Sequence, residues 1–112
     1  MSEMGKPDDL RELLTAAQKC GASDFCLKPG KAPLFTIHRQ KVSAKLLPYT
    51  SSDIEALAMK VIADEDRKTL EKFGAAVFVH EIPGVGRFRI SVYRRDVGVM
   101  LAARALNYDE RA

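Results

Sequence analysis

The chain has 112 residues, of which 46% are hydrophobic and 29% are charged, and its formal net charge is +3. This length suffices for one domain with one core, and the composition excludes a wholly disordered protein. No apolar run approaches the roughly 20 residues that a transmembrane helix needs. The N-terminus also lacks the apolar stretch of a secretory signal. The small positive charge permits an anionic partner without requiring one.

The first predicted helix covers residues 9–20. Asp9 is its expected N-cap, and Glu12, three residues later, is the expected reciprocal partner in a capping box. Gly21 follows as a left-handed stop. One face of this helix is apolar and is formed by Leu10, Leu13, Leu14 and Ala17.

Three short strands are predicted next, over residues 23–28, 34–39 and 42–46. The dipeptide Pro29-Gly30 ends the first strand, and a weak turn at Gln40-Lys41 separates the other two.

Two further helices are predicted in the middle of the chain. Thr50 opens the first, with Asp53 placed to support its first turn. Asp64 begins the second, which runs to residue 73 and closes at Gly74. The first of these two helices has four apolar residues at helical spacing: Ile54, Leu57, Ala58 and Val61.

The final third is predicted to be strand throughout, over residues 75–82, 85–94 and 98–106. Pro83-Gly84 suits a type II turn, because proline presets φ and glycine accepts a positive φ. After this turn the side chains alternate between two faces. One face holds Phe88, Ile90 and Val92, and the other holds Arg87, Arg89, Ser91, Tyr93 and Arg95.

The element order α-β-β-β-α-α-β-β-β predicts an α+β domain. Because strands and helices do not alternate, we expect a mostly antiparallel sheet of about six strands with helices packed on one face. Residues 1–7 are interpreted as a flexible N-terminus, residues 8–106 as the domain, and residues 107–112 as the start of a linker.

Sequence patterns for chemistry are largely missing. Gly30-Lys31 is followed by Ala32, where a phosphate-binding loop has Ser or Thr, and Gly84-Val85-Gly86 connects two strands and has Arg89 at the last glycine position. No serine has the surroundings of a catalytic nucleophile. The soft metal ligands match no zinc spacing: Cys20, Cys26, His38 and His80. The two cysteines are interpreted as reduced thiols of a cytoplasmic protein.

The last two predicted strands contain a high proportion of arginines. If these strands pair, several guanidinium groups approach one another, and this costs free energy unless an anion lies among them. Two ordinary explanations remain open: solvated charges on a strand face, and salt bridges to Glu81, Asp96 or Glu110. The arginines concerned are Arg87, Arg89, Arg94, Arg95 and Arg104.

Two stretches of the sequence carry a family resemblance. Ala22-Ser23-Asp24-Phe25-Cys26-Leu27, followed by Pro33-Leu34-Phe35-Thr36-Ile37, resembles the "A-S-D-L-H-L … P-P-x-x-R" opening of the type IV pilus retraction ATPases. Residues 81–91 resemble the "P-G-x-x-R-F-R-V-N" hairpin of the same proteins. The resemblance spans about residues 8–106. The family that the chain resembles belongs to the secretion ATPase superfamily.

The resemblance implies a fold and a role. It implies the N-terminal PAS-like domain of a homo-hexameric ATPase, joined in the full-length protein to a RecA-like domain that binds ATP and Mg²⁺. In such rings, arginines of the N-terminal domain approach the nucleotide phosphates, a role that falls here on Arg87, Arg89 and Arg104. A guanidinium fork suits this role because it binds phosphate in a bidentate way.

The resemblance also implies partners and a location. The expected partners are the RecA-like domains of its own and neighbouring subunits and an inner-membrane pilus or secretion platform, with no nucleic acid. The expected location is cytoplasmic and peripheral to the inner membrane. Without the ATPase domain, this chain is expected to be no enzyme and to hold no cofactor of its own.

Two other functions compete with this expectation. PAS-like domains also occur as free-standing sensors or protein-interaction modules. The third and weakest hypothesis is RNA binding on the face of Arg87, Arg89 and Tyr93, where the supply of aromatic side chains is small.

Overall fold

The computed structural model describes residues 7–46 and 48–106, which form three helices and six strands. The predicted linker at residues 107–112 and most of the predicted flexible N-terminus lie outside the described residues. The helices are α1 (Leu10–Cys20), α2 (Ser51–Met59) and α3 (Asp64–Phe73). The strands are β1 (Ala22–Leu27), β2 (Leu34–Ile37), β3 (Gln40–Ser43), β4 (Ala75–Ile82), β5 (Gly86–Arg95) and β6 (Gly98–Ala105).

Helix α1 begins and ends where its capping residues predict. The Asp9 side chain accepts a hydrogen bond from the backbone N–H of Arg11 at 2.9 Å, and Gly21 has the left-handed conformation with φ of 76°. The reciprocal bond predicted for Glu12 is not formed among the described residues. Instead, the Arg11 guanidinium binds the Asp9 carboxylate at 3.0 Å, so that Arg11 replaces Glu12 as the partner of the cap.

The caps of the other two helices confirm the sequence prediction. Thr50 and Asp53 form a capping box at the start of α2, with bonds of 3.0 and 3.1 Å that satisfy two N–H groups of the first turn. Helix α3 begins with three acidic residues, which its N-terminal dipole favours, and Gly74 ends it with φ of 78°.

The six strands form one antiparallel sheet in the order β3-β2-β1-β6-β5-β4. This confirms the predicted α+β class. The two central strands, β1 and β6, come from opposite ends of the described chain. Their pairing therefore places side by side two segments that most of the chain separates.

The turn between β2 and β3 differs from its prediction. The turn lies at His38-Arg39, and both residues have positive φ, 52° and 67°. Two consecutive residues with positive φ make a two-residue hairpin turn, whose twist matches that of the flanking strands. As a result β2 ends at Ile37 and β3 begins at Gln40, so the predicted turn at Gln40-Lys41 is wrong.

All three helices share one core with the same face of the sheet. The inward residues of β5 are Phe88, Ile90 and Val92, each at most 3% exposed, as their alternation predicts. The other face of the sheet, which we call the open face, carries the alternate residues of each strand. On β1, β5 and β6 the charged residues of the open face are Asp24, Arg87, Arg89, Arg95 and Arg104.

Candidate anion-binding site

Three arginines that the sequence singles out lie on the open face. Arg87 and Arg89 are exposed on β5, and Arg104 is exposed on β6. Between the first two, Phe88 is 3% exposed and anchors the strand in the core. Because the side chains of β5 alternate, Arg87 and Arg89 lie on its solvent side, while the residues between and beyond them pack into the core and fix the strand in place.

Strand register brings two of these arginines directly together. Arg89 of β5 is opposite Arg104 of β6, and Arg104 is in turn opposite Asp24 of β1. The Cβ atoms of directly opposite residues are about 5 Å apart, so the three side chains form one row across three neighbouring strands. We call Asp24, Arg104 and Arg89 the charged row.

The charged row has one acidic group for two cations. The Nη2 of Arg104 lies 3.6 Å from the Oδ2 of Asp24. Arg89 forms no ion pair with any described residue, and neither does Arg87, although Glu81 is opposite Arg87 on β4. The two adjacent guanidinium groups thus keep an excess positive charge, which an added anion would offset.

The salt bridges that form are not those that the sequence offered as an ordinary explanation for the arginines. Among the described residues, Glu81 and Asp96 bind no arginine, and Glu110 lies outside those residues. Arg94 points to the helical side and binds Glu55 of α2 at 2.9 Å. The guanidinium of Arg95 lies 5.3 Å from the ring centre of Tyr93. Arg94 and Arg95 are therefore engaged away from the charged row.

An open depression of about 450 Å³ lies at the charged row. Its walls combine the charged side chains with small and apolar ones from the neighbouring strands. The lining residues are Asp24, Val77, Arg89, Ser91, Ala102 and Arg104. Two guanidinium groups and the hydroxyl of Ser91, all of which can donate hydrogen bonds, line this depression.

Neither of the two histidines lies in the charged row. His80 is opposite Phe88 and therefore faces the helices, and His38 lies in the turn between β2 and β3. The described residues contain no group of three or more His, Cys, Asp and Glu side chains that could hold a metal ion. The two guanidinium groups of the charged row are suited to hold an anion in place and to offset its charge.

Sequence reasoning singled out the two arginines of the charged row but not its carboxylate, Asp24. Asp24 belongs to the Ala22-Ser23-Asp24 motif, yet nothing local shows that it meets Arg104, because that contact depends on the pairing of β1 with β6. Glu55 was missed for the same reason, since its partner Arg94 is 39 residues away in sequence.

Among the described residues, no helix is both long and apolar enough to span a bilayer.

The sequence is similar to that of a pilus retraction ATPase. The chain is 32% identical over 98 residues to the type IV pilus retraction ATPase PilT of Pseudomonas aeruginosa. The match covers 88% of this chain and 28% of the Pseudomonas protein. The chain thus spans less than a third of the length of the curated relative it matches. No protein-family model matches the sequence.

Solved structures give the same result at the level of the fold. A crystal structure of the pilus retraction motor PilT with bound ADP superimposes with a TM-score of 0.81 and 29% identity, over 92% of this chain and 30% of the motor. The ATPase DotB of Legionella pneumophila superimposes with a TM-score of 0.73 and 11% identity, over 95% of this chain and 31% of DotB. The DotB likeness, at this identity, shows a shared fold alone.

Proposed function

We propose that this chain, which is homologous to the N-terminal region of the type IV pilus retraction ATPase PilT, is a non-catalytic domain of a pilus retraction or secretion ATPase. It acts together with a RecA-like domain that binds ATP and Mg²⁺. The chain covers 28% of PilT, and it carries no phosphate-binding loop of its own. Binding and hydrolysis of ATP are therefore assigned to the companion domain, and this domain couples them to motion.

In this proposal Arg87, Arg89 and Arg104 contact the nucleotide phosphates when the two domains close. The single observation that supports it is the register of Arg89 opposite Arg104, which leaves two guanidinium groups adjacent on an exposed face beside one carboxylate. Guanidinium groups held in this way stabilise the charge that develops during phosphoryl transfer.

The wider assembly belongs to the same proposal. The ATPase is a homo-hexamer in the cytoplasm, peripheral to the inner membrane, and it works on a pilus or secretion platform there. Each PAS-like N-terminal domain packs against the ATPase domain of a neighbouring subunit. The open face supports this docking, because it presents the arginines together with the exposed apolar side chains of Val77 and Val79.

A chimeric ATPase tests the role of the arginines. Residues 8–106 of this chain replace the homologous region of Pseudomonas aeruginosa PilT, and ATP turnover is measured. We expect Arg89→Ala, Arg104→Ala and Arg87→Ala each to lower kcat by at least about tenfold, because each removes a charge at the phosphates. Thermal unfolding of the same variants should change little, because all three side chains are exposed.

Arg95→Ala is the matched control for this test. Arg95 is also exposed on β5, but it lies six residues from Arg89, which is about 20 Å along a strand. We expect this variant to keep normal turnover. Full turnover in all three of the other arginine variants would contradict the proposal, and so would an equal loss in Arg95→Ala.

A further inference from the structure

We infer that Asp24 is a built-in competitor for phosphate: it holds Arg104 while the site is empty, and Arg104 must leave it when a phosphate binds between Arg104 and Arg89. This inference rests on the proposed function, because it concerns the same site. It adds a regulatory residue that sets how strongly the site binds an anion and which anions it accepts.

The geometry of the pair allows exchange. The 3.6 Å between Arg104 Nη2 and Asp24 Oδ2 is longer than the 2.7–2.9 Å or so of a charge-assisted hydrogen bond. The other three ion pairs among the described residues are shorter, at 3.0, 2.7 and 2.9 Å. Arg104 is also 65% exposed, so its guanidinium can turn toward another anion without moving the strand.

The charges of the row make the competition direct. Asp24 is opposite Arg104 on one side, and Arg89 is opposite Arg104 on the other side. A phosphate that binds both arginines therefore lies on the same face as the carboxylate, one strand away. The carboxylate repels that phosphate, and it also loses its contact with Arg104. Both effects oppose binding, and both depend on the negative charge of Asp24.

The repulsive part of this competition increases with the charge of the anion, because the Coulomb energy is proportional to that charge. The loss of the contact between Arg104 and Asp24 is the same for every anion that binds Arg104. Asp24 therefore weakens the binding of a di- or triphosphate more than it weakens the binding of a small monovalent anion.

The experiment measures the affinity of the complete 112-residue chain for inorganic triphosphate by NMR titration at constant low ionic strength. We expect Asp24→Asn to bind about two- to fivefold more tightly than the original chain, the range expected for release of one exposed ion pair. The same variant should gain more affinity for triphosphate than for chloride, because the repulsion that it removes increases with the charge of the anion. Asp24→Ser serves as a second variant in case the asparagine disturbs β1.

A matched control and a double variant separate Asp24 from a general charge effect. Glu71→Gln makes the same change in net charge at an exposed position of α3 that forms no ion pair with a described residue, and we expect it to leave the affinity almost unchanged. In an Arg104→Ala background, Asp24→Asn should give a smaller gain in affinity than it gives alone, because the two residues no longer act on each other.

The outcomes distinguish this inference from the proposed function. If Arg89→Ala and Arg104→Ala weaken triphosphate binding but Asp24→Asn behaves like Glu71→Gln, the inference is wrong and the phosphate site stands. An undiminished effect of Asp24→Asn in the Arg104→Ala background also contradicts the inference and leaves the phosphate site standing. If neither arginine variant weakens binding, the phosphate site fails, and the inference fails with it.

Discussion

Gly98, the first residue of β6, lies directly against Ser51, the first residue of α2. A Cβ atom on Gly98 would be 2.6 Å from the Oγ of Ser51, and the same Oγ accepts a hydrogen bond from the backbone N–H of Val99 at 2.9 Å. This contact joins α2 to the strand that carries Arg104. It therefore links the helical layer to the charged row.

Gly98→Ala should lower the free energy of unfolding by about 2–4 kcal/mol, since it adds a close contact to a backbone whose φ is 124°. Denaturant unfolding measures this loss. Gly30→Ala is the control: Gly30 has φ of 77° but no atom within 4 Å of an added Cβ, so it should cost only about 1–2 kcal/mol. Equal losses in both variants would show that the contact with Ser51 contributes nothing.

Tyr49 is 1% exposed, and its hydroxyl donates a 2.6 Å hydrogen bond to the carbonyl of Pro7. Burial raises the pKa of the Tyr49 phenol well above 10.0. The unfolded chain then loses the phenol proton near pH 10 while the folded chain keeps it, so stability should be complete below about pH 10 and decline above it.

Tyr49→Phe should lower the free energy of unfolding at neutral pH by about 1 kcal/mol and flatten the decline above about pH 10. Unfolding curves at several alkaline pH values measure both effects. Tyr93→Phe changes a half-buried position on the open face, and the stability of this variant should decline above about pH 10 as that of the original chain does. If the stability of Tyr49→Phe declines above about pH 10 as steeply as that of the original chain, the buried hydroxyl is not the cause of the decline.

His80 faces the helical layer, and its Nε2 is buried without a hydrogen-bond partner among the described residues. Burial lowers the pKa of His80 below 6.5, and the charge of Arg11 lowers it further while that of Asp9 opposes the shift. The folded chain therefore resists protonation that the unfolded chain accepts. Stability should be complete above about pH 6.5 and fall as the pH decreases below it.

His80→Gln tests this pH dependence. The variant should lose much of the change in stability between about pH 6.5 and 5, because glutamine does not titrate there. The exposed His38 offers a matched control, and His38→Gln should keep the dependence of the original chain. A pH profile that responds to His38→Gln and not to His80→Gln would contradict this assignment.

The carboxyl group of Asp9 has a lowered pKa because Arg11 donates hydrogen bonds to it. The hydrogen bond from the Arg11 side chain, followed by the bond from the Arg11 backbone, lowers the pKa of Asp9 to about 2. The stability that this cap contributes is present above the ordinary value of 3.8 and is lost as the pH falls toward 2. NMR titration should show that Arg11→Ala raises the pKa of Asp9, whereas Arg67→Ala leaves it unchanged. An unaltered pKa in Arg11→Ala would rule out the side-chain bond as the main cause.

Local signals in the sequence predict much of this fold. Capping residues and glycines locate the three helices, as Asp9, Thr50 and Gly74 show, and the alternation after Gly84 predicts which side of β5 is buried. These signals suffice because each acts within one turn of helix or along one strand. The exposed positions of Arg87 and Arg89 follow from the same alternation.

The rest depends on contacts that local signals do not contain. The turn at His38-Arg39 was missed because it lacks Asn-Gly, Asp-Gly and Gly-Gly, the dipeptides that usually indicate a two-residue turn with positive φ at both positions. The contact of Asp24 with Arg104 was missed because β1 and β6 are far apart in sequence, so no local pattern shows that they pair. Long-range pairing thus decides the part of the site that the sequence does not reveal.

The role proposed for Arg87, Arg89 and Arg104 is to face nucleotide phosphates. The most direct test is a structure of the chimeric ATPase with Mg²⁺ and a non-hydrolysable ATP analogue. We expect at least Arg89 and Arg104 to have guanidinium nitrogens within about 3 Å of phosphate oxygens, with Arg104 released from Asp24. Arginines that still face solvent or Asp24, in a closed ring with nucleotide bound, would contradict the claim.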